Sequence, residues 1–73
     1  MKLNHMTPES ERQYDTGFER GHAAFRAGAQ SEYWVDAGGC RKRNALGAVQ
    51  TIAGNPYAFG YIDGFMAAES DAH

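Results

Sequence analysis

Glu19-x-x-His22 has the spacing of a metal motif, a carboxylate and an imidazole three residues apart on one helix face. A carboxylate-bridged metal pair needs a second copy of that motif and further glutamates on facing helices. The corresponding positions of the chain's internal repeat hold Ile62 and Phe65, so His22 reads as a helix-surface imidazole. Cys40 is the single cysteine, which rules out an internal disulfide, and neither it nor any serine has a base at a helical spacing to activate it. Gly38-Gly39 lacks the flanking strand and the Lys-Ser/Thr pair of a phosphate-cradling loop. No catalytic residue, metal site or cofactor is expected. The chain is expected to be a non-enzyme that acts by binding another macromolecule.

The charges carry more information. Glu11, Asp15 and Glu19 stand at i, i+4 and i+8, so they share one helical stripe. Like charges at that spacing cost about 0.2–0.5 kcal/mol per pair. Successive carboxylates step about 6 Å along the axis, a ridge of negative charge that can meet a basic groove. Glu9 and Asp63 are weaker members of the same set. Three of the seven basic residues sit together at Arg41, Lys42 and Arg43, where they can pair with Glu32 and Asp36 or serve as an alternative nucleic-acid contact. Tyr33 and Trp34 form the aromatic anchor expected at a partner interface.

Positioning these residues requires helices. Thr7-Pro8-Glu9-Ser10-Glu11 supplies a capping hydroxyl, a proline at the first helical position and two acids in the first turn, and Asn55-Pro56 repeats the signature. Apolar and small residues recur at helical spacing over 8–29, 40–53 and 56–69, whereas residues 30–39 are too short a stretch to classify by period. The sequence therefore predicts an all-α domain of three helices, with the third packed between the others. Its expected core is Tyr14, Phe18, Phe25, Leu46, Val49, Ile52, Tyr61, Ile62, Phe65 and Met66. Tyr14-x-x-Gly17-Phe18-x-x-Gly21-x-x-Ala24 matches Tyr57-x-x-Gly60-Tyr61-x-x-Gly64-x-x-Ala67. Glycine costs a helix interior roughly 1 kcal/mol against alanine, and a close backbone approach between the first and last helices accounts for four of them.

Seventy-three residues make one domain, 1–73, with an ordered core over about 8–69. An apolar share of 42% with 22% charged residues is a globular composition. Met1-Lys2-Leu3-Asn4-His5-Met6 holds no apolar leader stretch, and no run approaches the roughly 18 residues of a membrane span. A location in the cytoplasm of a bacterial host cell, away from membranes, is expected. The net charge of −2 argues against direct DNA binding and towards a protein partner.

The glycine-aromatic segments, Asn55-Pro56-Tyr57 and Gly60-Tyr61-x-x-Gly64-Phe65-x-x-Ala68 resemble ribosome modulation factor and related short phage-borne proteins. That family is strongly basic and this chain is not. The resemblance implies a ribosome-associated factor, with Arg41, Lys42 and Arg43 on ribosomal RNA. In general character the chain is similar to phage-encoded inhibitors such as anti-CRISPR proteins, single small acidic domains that occupy a nucleic-acid-binding surface as DNA mimics. On this likeness the expected partner is a host protein or ribonucleoprotein complex with a basic groove, met by Glu9, Glu11, Asp15, Glu19 and Asp63. A homodimer formed through Phe59, Ile62 and Met66 is the third expectation.

Overall fold

The computed structural model describes residues 7–72; the Met1 to Met6 segment and His73 lie outside them. The elements run α1 (Pro8–Arg26), β1 (Tyr33–Asp36), β2 (Gly39–Arg43), β3 (Val49–Thr51) and α2 (Pro56–Asp71). The fold is therefore α+β, two helices and a three-stranded antiparallel sheet in the order β1-β2-β3. The all-α, three-helix expectation is corrected, and the last helix packs between α1 and the sheet.

Both helices start where their caps direct. The Thr7 hydroxyl accepts the Ser10 amide at 3.1 Å, and the Asn55 side chain accepts the Ala58 amide at 2.8 Å. Each satisfies an amide that the first turn leaves without an intrahelical partner. α1 ends at Arg26, not at residue 29. Gly28 takes the left-handed conformation at φ 76°, and Ala29 donates back to the Ala24 carbonyl. That reversal closes the last turn.

The four helical glycines make backbone touch backbone. A Cβ at Gly17 would stand 2.9 Å from the Tyr61 amide nitrogen and closer still to the Tyr57 carbonyl oxygen. A Cβ at Gly60 would meet the Tyr14 carbonyl in the same way. Four residues further along both helices, Gly21 faces the Tyr61 carbonyl and Gly64 faces that of Phe18. Contacts that advance together mean that α1 and α2 run parallel, related by a pseudo-twofold axis along the pair. Small residues let helix backbones come this close, and Cα–H···O contacts then add to the packing.

Residues 40–53, expected as a helix, form a hairpin. Its turn is closed by Asn44, whose side-chain oxygen accepts the Leu46 and Ala48 amides at 2.9 and 3.0 Å, and by Gly47 at φ 85°. Asparagine and glycine there supply the local hydrogen bonds and positive φ that a turn needs. Leu46 sits at its tip, 94% exposed, and Val49 and Met66 are exposed as well, so these three leave the expected core. The pleat points Tyr33, Cys40 and Ile52 towards the helices, where they pack with Ala58, Tyr61 and Phe65. Trp34, Arg41 and Arg43 point the other way.

Candidate functional site

A twofold axis parallel to two parallel helices sends equivalent side chains to opposite sides of the pair. On α2 the aromatic stripe is Tyr57, Tyr61 and Phe65; its equivalent on α1 is Tyr14, Phe18 and His22. The sheet covers the first stripe. Tyr33 lays its ring 5.8 Å from that of Tyr57 and 5.2 Å from that of Tyr61, leaving Tyr61 only 3% exposed, and its burial raises the phenol pKa. Among the described residues no strand packs on α1. Phe18 stays half-buried, 6.4 Å from Tyr14 and stacked at 6.3 Å on His22, both of its own helix.

Carboxylates surround this second stripe. Asp15 and Glu19 are exposed and Glu11 half-buried along α1. Asp63 joins them from α2, accepting a hydrogen bond from the Tyr14 hydroxyl. Asp63 stands two residues from Tyr61 and hence on the opposite side of α2, away from the sheet. Burial first, then the bond to Asp63 and the negative charges of Asp63 and Asp15, push the Tyr14 phenol up to about 12. Glu9 is exposed in the first turn of α1, where the helix dipole favours an acid. Further along, His22 Nε2 lies 3.9 Å from Asp71. A shallow depression of about 570 Å³ opens beside Phe18, lined also by Glu19, His22, Ala23, Arg26 and Ala27.

The basic triplet lies on strand β2 and not at a helix start, and the pleat divides it. Arg41 Nε sits 3.2 Å from Asp36, Lys42 Nζ lies over the Tyr33 ring at 5.6 Å, and the Arg43 guanidinium lies over Trp34 at 5.1 Å. Asp36 is fully engaged: the Gly38 amide first, then the Trp34 indole and Arg41, hold its carboxyl below the usual range. Arg41 is thus paired with a carboxylate, whereas Lys42 and Arg43 lie over rings and the buried Arg43 Nε has no hydrogen-bond partner among the described residues. Tyr33 and Trp34, expected to act together as an exposed anchor, are split by the same pleat; Tyr33 is in the core and Trp34 half-buried on the outer sheet face.

No family model, curated protein or solved structure matches this chain. Its chemistry rests on its own residues. Among the described residues no three His, Cys, Asp or Glu side chains stand close enough to hold a metal ion. Cys40 is half-buried against the core. No helix of the described chain is long and apolar enough to cross a membrane. On the outer side of α2, Phe59 and Met66 are 45% and 60% exposed, whereas Ile62 is half-buried against the sheet-side core. Sequence reasoning missed the Trp34–Arg43 stack and the depression beside Phe18; the first depends on strand register and the second on what the sheet leaves uncovered.

Proposed function

We propose that the chain is a non-enzymatic, protein-binding inhibitor that occupies a basic nucleic-acid-binding site of a host complex, such as a CRISPR effector, by acidic mimicry. The observation that carries this reading is the convergence of carboxylates from two helices on one face. The Tyr14–Asp63 bond joins α2 to the Glu11, Asp15 and Glu19 stripe of α1, while Arg41, Lys42 and Arg43 are engaged on the sheet. Steering between such a face and a basic groove is long-ranged and screened by salt. The test is target-DNA binding by CRISPR effector complexes, followed by fluorescence anisotropy with and without the chain. Inhibition of an effector that weakens with salt, and that the combined Glu11→Gln, Asp15→Asn and Glu19→Gln change reduces by at least about tenfold, supports the reading. Inhibition indifferent to both contradicts it.

A second reading is favoured by one arrangement, the pairing of Arg41 and Arg43 with Trp34 on the outer sheet face. Arginine beside a half-buried aromatic ring on an outer sheet face suits stacked bases and phosphates, as a ribosome-associated factor on ribosomal RNA requires. Arg41→Gln with Arg43→Gln abolishes ribosome association under this reading alone.

A further inference from the structure

We propose that the uncovered half of the helix pair, centred on Phe18, seats an aromatic side chain carried by an arginine- or lysine-rich segment of a partner protein. This rests on the mimicry reading and names the partner chemistry it implies. The molecule contains its own precedent. Phe18 and Tyr61 are equivalent about the pseudo-twofold axis, and Tyr61 is roofed by the Tyr33 ring from an extended strand. Among the described residues the corresponding place over Phe18 has no strand on it.

What differs between the twins is charge. The covered stripe meets Tyr33, Cys40 and Ile52, with the Lys42 ammonium over the Tyr33 ring and, among the described residues, no cluster of carboxylates. The uncovered one is flanked by Glu11, Asp15 and Glu19 on its own helix and by Asp63 across the pair. An occupant must therefore combine an aromatic anchor with cations on either side of it. The depression beside Phe18 receives the anchor between Glu19 and the small side chains of Ala23 and Ala27. Arg26 stands among its lining residues, so the partner's cations point away from it, towards Glu11 and Glu19. An acidic segment or a nucleic acid is repelled from the same place.

Two synthetic peptides separate the anchor from the charge: both carry the same arginines, one with a central tryptophan and the other with serine. Fluorescence anisotropy is expected to show the tryptophan peptide binding about tenfold more tightly, the increment of a well-seated aromatic anchor. Phe18→Ser should erase that advantage while leaving the serine peptide's affinity unchanged. Ala23→Trp, a change at an exposed position that fills the depression, should erase it without touching the core. Equal binding of both peptides to the unaltered chain, weakened for both by the triple carboxylate change, overturns the anchor and leaves the mimicry reading standing. Failure of both peptides to bind even at low salt overturns both readings. A self-association that Phe18→Ser abolishes makes a second copy the occupant and overturns the proposal.

Discussion

Tyr61 and Phe18 occupy equivalent places in two nearly identical helical segments, yet one is buried under a sheet and the other lies half-open among carboxylates. The comparison shows how one local pattern yields two kinds of surface. Glycines at the fourth-residue spacing bring the backbones together and oblige the flanking rings to leave on opposite sides. The described residues form a single sheet, which covers one side. The apolar stripe on the other side is shorter in rings, ending in His22 where α2 has Phe65, and is edged with acids.

The axis on which the comparison depends is most severely broken at its glycines. Gly64→Leu places side-chain atoms where the Phe18 backbone stands, and overpacking of this kind costs about 1–3 kcal/mol, with backbone displacement adding to it. A fall in melting temperature of about 10 °C or more is expected by thermal circular dichroism, since each kcal/mol shifts a domain of this size by about 4–8 °C. An unchanged melting temperature removes the close approach. Gly21→Leu should act alike, because it meets the Tyr61 carbonyl.

Truncating the twins sharpens the contrast. Tyr61→Ala removes a ring 3% exposed and should cost about 3–5 kcal/mol. Phe18→Ala should cost about half of that or less, in proportion to the burial it lacks. Equal losses in urea unfolding contradict the assignment of one covered and one uncovered stripe.

The Tyr14–Asp63 bond across the uncovered side gives a smaller, pH-dependent effect. A phenol whose pKa is raised on folding contributes stability that is fully present below its ordinary value of 10 and is lost as pH rises through about 12. Ultraviolet titration should show one tyrosine ionising near 12 that Tyr14→Phe removes. At neutral pH the same change should cost about 1 kcal/mol, the net worth of one hydrogen bond. Titration of every tyrosine at its ordinary value contradicts the buried hydroxyl. Smallest of all, Leu46→Ala at the hairpin tip should change stability by less than about 0.5 kcal/mol. A loss of about 2–5 kcal/mol, as for a leucine in a helical core, contradicts the hairpin.

The features legible in the sequence are the local ones. Thr7-Pro8 and Asn55-Pro56 announce both helix starts, and the repeated glycines announce the contact between the two helices, because a cap and a glycine spacing are both patterns of residues close in sequence. The hairpin was not legible because Ala45/Leu46, Val49 and Ile52/Ala53 fall at helical spacing as well as in two short strands around a turn. Arg41, Lys42 and Arg43 carried the warning: three cations oppose the dipole of a helix N-terminus and suit a strand. The acidic stripe is readable from Glu11, Asp15 and Glu19. Its extension to Asp63 depends on α1 and α2 running parallel, which their glycines alone leave open.

The most direct test of the uncovered face is amide chemical-shift mapping of the labelled chain titrated with the tryptophan-bearing arginine peptide. Shifts concentrated on Asp15 to Ala27 and on Asp63, with Tyr33 to Thr51 unmoved, are the predicted result. Shifts concentrated on Trp34, Arg41 and Arg43, with Phe18 unmoved, contradict it.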